Sequence, residues 1–288
     1  MTPAHIAITL MVIVIWGMNF VAAKFALQVF PPLFLMALRF GAVGLALVWF
    51  AKRPTGMWRK FLILSVTMGS LHFSLMFVAL TQVSASIAAI AVQLQVPFAA
   101  ILAAIFFKDM LGWRRALGMA LAFAGVVTIA FDPEAEASLV HLFMVIAACF
   151  IWAIGNIQVK QLERIDGVTL NAWLSLLAAP QLLLVSLVLE SGQIQAIRAA
   201  GPFEWGSLAY MAVLVTVVGY GLWYYMIDKY ATNQTMPFTL LIPVVGVFGG
   251  VFVLGEPLTL QLGLGGLVTV VGVAIIVLRR PKLGAPEV

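Results

Sequence analysis

Ten apolar runs, each about as long as a helix needs to cross a bilayer, follow one another almost without pause between positions 4 and 278. A rise of roughly 1.5 Å per residue must cover roughly 30 Å of hydrocarbon, which takes about 20 residues. The runs lie near 4–23, 32–50, 60–81, 85–106, 112–130, 138–158, 169–189, 205–227, 232–254 and 259–278. The narrowest separations are TQVSAS and DKYATNQ, around 81–85 and 228–232. Lipid offers the backbone no hydrogen-bonding partner, so a spanning segment is a helix or a strand of a closed barrel. No ten-residue stretch alternates as barrel strands do. The expected fold is therefore an all-α polytopic membrane protein with ten transmembrane helices. Composition agrees: 64% of residues are hydrophobic and 9% charged, where a soluble domain carries about 25% charged residues. The opening MTPAHIAITLMVIVIWGMNF has no basic leader or small-residue cleavage site and reads as the first span.

Charge placement orients the chain. With both termini cytoplasmic, 13 of the 16 basic residues fall on the cytoplasmic side, among them Lys52, Arg53, Arg59 and Lys60. The opposite side keeps Lys24 and Arg198 beside Asp132, Glu134, Glu136, Glu190, Glu204 and Glu256. This is the positive-inside asymmetry, and it explains the net charge of +5 without a nucleic-acid partner. Cys149 is the single cysteine, so an intrachain disulfide and a cysteine-rich metal site are excluded.

The chain also repeats itself. KDMLGWRRALGMALAFAGVV at 108–127 and LGEPLTLQLGLGGLVTVVGV at 254–273 each set a carboxylate, Asp109 or Glu256, ahead of two glycines seven apart. The glycines are Gly118 and Gly125 in one, Gly265 and Gly272 in the other, and all three positions keep an offset of 147. WGMNFVAAK at 16–24 and WAIGNIQVK at 152–160 echo each other, and Pro97 and Pro243 lie one residue out of register. Five spans per copy is an odd number, so the second copy enters the bilayer from the other face. The reading is two inverted five-helix repeats, 1–131 and 138–280, with a cytoplasmic tail at 281–288. Inverted repeats belong to secondary transporters, whose substrate site lies near midplane between the halves.

LIPVVGVFGGVFVLGEPLTLQLGLGGLVTVVGVAII at 241–276 resembles the closing helix pair of the EamA-type repeat of the drug/metabolite transporter superfamily: a proline, an apolar run, Gly-Glu, then two glycines seven apart. VPFAAILAAIFFKDMLGWRRALGMALAFAGVVTI at 96–129 resembles it more loosely, with Lys108-Asp109 in place of Gly-Glu, and LRFGAVGLAL at 38–47 is similar to its arginine-containing second helix. The resemblance implies ten helices, no ATPase and a small-metabolite substrate. Within the superfamily the chain is most similar to bacterial exporters of aromatic and other neutral amino acids, which implies the bacterial inner membrane.

Residues for a substrate site must be polar or aromatic and away from the water interfaces. Trp16 and Trp152 lie too deep for the interfacial aromatic belt, and Asn19 and Asn156 share a helix face with them. Each asparagine is read as substrate contact or as a helix-to-helix hydrogen bond. His72 in the third run is a ligand or proton carrier, or else a neutral bonded core residue, with Phe73 and Phe77 beside it. Gln93 and Gln95 lie about 200° apart around a helix, so one of them lines the cavity, and which one is open. Thr216, Tyr220, Tyr224 and Asp228 make a stripe along the eighth run, with Gly219 and Gly221 as bend points and Pro180 as another. Asp109, Glu256, Pro97, Pro243 and the four repeated glycines read as helix-end and packing residues. Glu256 is expected to sit at the positive end of helix ten, whose first turn Pro257 suits, as a helix-capping carboxylate, with a substrate ligand as the alternative. Arg39 is expected to snorkel to the outer interface or to bond helix-end carbonyls, with a contact to a substrate carboxylate as the alternative, and Trp173 is expected to anchor at the interface.

No P-loop, acidic cluster or triad set is present, so neither ATP use, a metal, a cofactor nor hydrolysis is expected, and an intramembrane enzyme is a remote alternative. A channel would want a ring of like charges. The expectation is a secondary or facilitative exporter of small metabolites, aromatic and neutral amino acids first, working by alternating access. The alternative is a proton-coupled exporter of other amphipathic metabolites or drugs. Its partners are the lipid bilayer and a small-molecule substrate; a homodimer is left open.

Overall fold

The computed structural model describes residues 1–107, 112–132, 138–162, 165–230 and 232–278. Its long apolar helices are span 1 (Pro3–Leu27), span 2 (Pro32–Phe50), span 3 (Trp58–Ala79), span 4 (Ala85–Phe106), span 5 (Trp113–Ala130), span 6 (Leu139–Lys160), span 7 (Gly167–Leu189), span 8 (Pro202–Lys229), span 9 (Met236–Leu254) and span 10 (Leu260–Val277). Each matches an expected run to within a few residues. Asp109 and the tail at 281–288 lie outside the described residues.

The chain marks where its helices start. Pro3, Pro32 and Pro202 occupy the first turn of spans 1, 2 and 8, where a missing N–H costs nothing. Thr2, Ser84, Asp166 and Thr259 accept hydrogen bonds from the first-turn backbone of spans 1, 4, 7 and 10.

Span 2 packs along span 7, and span 5 along span 10. Both pairs are antiparallel. At the start of span 2, Leu33 and Phe34 donate backbone hydrogen bonds (2.8 and 3.0 Å) to Glu190, which follows span 7. Beyond the other end of span 2, Lys52 N–H donates to Thr169 Oγ1 in the first turn of span 7 (3.1 Å). Gly118 faces Gly272, and Gly125 faces Gly265. Each pair therefore joins a helix to its own copy running the opposite way, as inverted repeats require. The other contacts follow the same exchange: span 1 packs on spans 8 and 9, span 6 on spans 3 and 4.

Along the seam between spans 5 and 10 the two backbones come close together. A Cβ on Gly118 would stand 2.7 Å from the Gly272 carbonyl oxygen, and one on Gly265 would stand 2.6 Å from that of Gly125. Without a hydrophobic force between helices in lipid, such close backbone approach supplies the packing energy. Thr269 lies buried in the seam, its hydroxyl donating to the Gly265 carbonyl at 2.8 Å and reaching the Ala122 carbonyl at 3.5 Å.

Four spans are broken at related positions. Spans 3 and 8 carry π-helical turns, Ser65–Leu71 and Tyr210–Gly219, and the residues that follow them are His72 and Tyr220. Spans 4 and 9 carry 3-10 turns, Val92–Leu94 and Met236–Leu241, just ahead of Pro97 and Pro243. A proline has no N–H for the carbonyl four residues earlier. For Pro243 that carbonyl is Thr239's, which accepts instead from Ile242 N–H and, at 3.5 Å, from Gln93 Nε2.

Candidate functional site: an aromatic centre between the halves

Spans 1 and 6 each pack against the two broken spans of the opposite half. Trp16 of span 1 lies against Tyr220 and Trp223 of span 8, with ring centroids 5.1 and 5.3 Å apart. Its indole N–H donates to the Val215 carbonyl at 3.3 Å, inside the π-helical turn, and the ring sits where a Cβ on Gly219 would be. Trp152 of span 6 lies against His72 and Phe73 of span 3, at 4.8 and 6.3 Å. The two arrangements are one design used twice. The first helix of each half sets a tryptophan against the residue that follows the π-helical break in the other half.

His72 is buried, and its Nδ1 bonds the Ala148 carbonyl at 2.8 Å. A carbonyl only accepts, so Nδ1 carries a proton. Phe73, half-buried, meets His72 at 4.7 Å and Phe40 at 4.9 Å, both edge-on, and Phe77 lies behind it at 6.2 Å in the core. Tyr224 continues from Tyr220, stacked at 6.1 Å, and its ring lies over Gly167 at the start of span 7.

The glutamines divide their tasks. Gln93 is buried and tied to span 9 through the Thr239 carbonyl, whereas Gln95 is half-buried. The asparagines also differ: Asn19 is half-buried with a buried Oδ1 that has no hydrogen-bond partner, and Asn156 is exposed. Trp173 donates its indole N–H to the Lys52 carbonyl at 2.7 Å and meets Trp58 edge-on.

Two expectations change. Arg39 does not snorkel. It is 3% exposed, donates from Nη2 to Thr216 Oγ1 at 3.1 Å and lies 5.4 Å from the centre of the Phe73 ring. Span 2 is packed along its length against span 7, so the side chain has no open route outward and turns to span 8 instead. Glu256, in turn, does not cap helix ten, where Thr259 takes that place. Its carboxylate reaches across to the start of span 4 and accepts from Ala85 N–H (2.6 Å), Ser86 N–H (2.9 Å) and Ser86 Oγ (2.6 Å). Free N–H groups at a helix start favour an acceptor with full charge.

The centre is sealed on the side where Glu256 and Glu190 lie. Besides those two ties, Asp132 accepts from the Thr259 hydroxyl, and Gly246 and Gly249 of span 9 press on Ala89 and on Val21 and Met18. Toward the opposite side, span 4 leaves span 9: its second half packs on span 6, and Trp16, Tyr220 and Tyr224 are half-exposed. Among the described residues every carboxylate lies at or beyond a span end, and no group of three or more His, Cys, Asp or Glu is placed to hold a metal.

Inverted five-helix halves with broken helices around an aromatic centre are the build of a secondary transporter. The chain belongs to the EamA-like transporter family, whose profile matches residues 4–131 and 139–278. A protein of Escherichia coli (strain K12) named "Probable amino-acid metabolite efflux pump" is 31% identical over 277 residues, covering 93% of both chains. One of the same name from Salmonella typhimurium (strain LT2) is 33% identical, covering 88% of this chain and 87% of that one. An archaeal protein from Archaeoglobus fulgidus named "Uncharacterized transporter" is 27% identical over 92% of this chain and 95% of its own. A solved crystal structure with 16% identity superposes with a TM-score of 0.63 over 96% of each chain, which shows the shared fold. The protein is a multi-pass membrane transporter and not an enzyme.

Proposed function

We propose that this transporter exports neutral amino acids, those with aromatic or other apolar side chains first, across the bacterial inner membrane by alternating access. The observation that carries this reading is the doubled tryptophan arrangement: Trp16 on Tyr220 and Trp152 on His72, each next to a π-helical break. Rings suit an apolar side chain, and breaks beside them let substrate contacts bias helix bending. The names of the two enteric relatives support an amino-acid cargo. The basic residues put the Glu256 side outside the cell, so the conformation is closed outward and reached from the cytoplasm.

The test is uptake of labelled phenylalanine, tryptophan, threonine and alanine by the purified protein in liposomes, with and without an imposed proton gradient. Saturable uptake without a gradient supports a facilitative amino-acid exporter, and dependence on the gradient assigns coupling to the centre that contains His72. No uptake of any amino acid contradicts the proposal. Trp16→Ala and Trp152→Ala should each slow uptake about tenfold, since each loses two ring contacts of roughly 0.5–1.5 kcal/mol. Unchanged uptake, with protein still made, removes that residue from the site.

A further inference from the structure

We propose that Arg39 is the receptor for a substrate carboxylate, which makes the transported class small monocarboxylates with an apolar or aromatic group. This deepens the amino-acid reading above and rests on the same centre. Arg39 is buried in the second turn of a helix that crosses the membrane, and of its five N–H donors the structure uses one, to Thr216. Nε and Nη1 are buried with no hydrogen-bond partner. A guanidinium in hydrocarbon is costly, and such groups face a partner or a pathway.

The described carboxylates are engaged elsewhere or lie at the surface. Glu190 and Glu256 hold the starts of spans 2 and 4, Asp132 holds Thr259, Asp166 caps span 7, Glu204 accepts from Gly201 N–H and Asp228 is exposed. The site therefore has one fixed cation, one uncharged partner for it and unused donors in a fork that matches a carboxylate.

The guanidinium is one ring away from the aromatic centre. Phe73 lies over it at 5.4 Å, and the other contacts of that ring are His72, Phe40, Phe77 and Trp152. Phe73 is half-buried, and a rotation about its side-chain bonds would open the way from the rings to Nε and Nη1. A bound carboxylate would then sit on Arg39 while the side chain of the same molecule packs against Trp152 or Trp16. Thr216, the present partner of Arg39, belongs to the π-helical turn of span 8. Binding at Arg39 is thus read directly by a broken helix.

The experiment compares phenylalanine, phenylalaninamide, 3-phenylpropionate and phenethylamine for binding to the purified full-length protein in detergent. The acids should bind about tenfold or more tighter than the amide and the amine, the ratio expected for charge-assisted hydrogen bonds. Arg39→Gln should bring all four within about twofold of one another. If Arg39→Gln does not fold, Arg39→Lys, which keeps the charge and loses the fork, should reduce the preference for acids about threefold or more. Equal binding of amide and acid by the wild type, or an acid preference that survives Arg39→Gln or is untouched by Arg39→Lys, would overturn the assignment. The amino-acid reading fails separately: if 3-phenylpropionate binds through Arg39 but labelled phenylalanine is not moved in liposomes, the carboxylate receptor stands and the cargo is another acid.

Discussion

Gly125→Val should remove the folded transporter from the membrane. The Cβ of any residue at 125 meets the Gly265 carbonyl oxygen and Thr269 of span 10, and most of what it meets is backbone that has no rotamer to change. Valine adds two further carbons to that clash. Overpacking against movable side chains costs about 1–3 kcal/mol; against backbone in a helix seam the cost is higher, a large part of a total stability of roughly 5–15 kcal/mol. Repeat symmetry extends the expectation to Gly272→Val, whose Cβ meets Ala122. Gel filtration of detergent-solubilised fluorescent fusions measures it: the sharp peak of the wild type should vanish for both variants and persist for Gly221→Ala, where nothing lies within 4 Å. A normal peak for Gly125→Val would mean that spans 5 and 10 do not pack as described.

Glu256→Ala should unlatch the sealed side. The carboxylate ties the loop after span 9 to the first turn of span 4 through three hydrogen bonds. Bonds to a charged acceptor contribute about 1.5–3 kcal/mol each and are not additive, so a total near 3 kcal/mol is expected. If the tie exists only while this side is closed, that energy shifts the balance of open and closed forms by about 100-fold. Buried Val83, close to the tie, reports the change. In a Cys149→Ser background, a Val83→Cys substitution should react slowly with a membrane-impermeant thiol reagent when Glu256 is present and much faster in Glu256→Ala. Glu256→Gln, which keeps an acceptor, should fall between. Equal rates in all three would show that the tie plays no part in closure.

What could be read from sequence follows from the range of each interaction. The spans were legible because lipid imposes a length on every helix, and the repeat was legible because glycines at a seam tolerate no substitute. Trp16 and Trp152 announced themselves by depth and by their shared neighbours. Sequence makes Tyr220 and His72 candidates but does not pair them, since no local spacing links Trp16 to Tyr220 or Trp152 to His72, and it does not single out Trp223, the other ring against Trp16. The errors at Arg39 and Glu256 have the same origin. Arg39 reads from sequence as reaching the interface or helix-end carbonyls and Glu256 as serving the helix that follows it, whereas each bonds across the molecule, to Thr216 and to Ala85 and Ser86. The π-helical turns leave only a faint trace, Gly219 beside Tyr220, and Pro97 and Pro243, read from sequence as helix-end residues, instead follow 3-10 turns inside spans 4 and 9. Gln93 shows why the choice between two glutamines stayed open: its partner is a carbonyl that a proline on another span left without its usual N–H donor.

If one aromatic centre serves both faces of the membrane in turn, exchange across the bilayer reveals it. Liposomes loaded with unlabelled phenylalanine should take up labelled phenylalanine faster than empty ones, because a returning site that carries substrate passes through the same closed form. Trp16→Ala and Trp152→Ala should each slow this exchange about tenfold. Uptake indifferent to the internal load and to both tryptophans would show that no such shared centre exists.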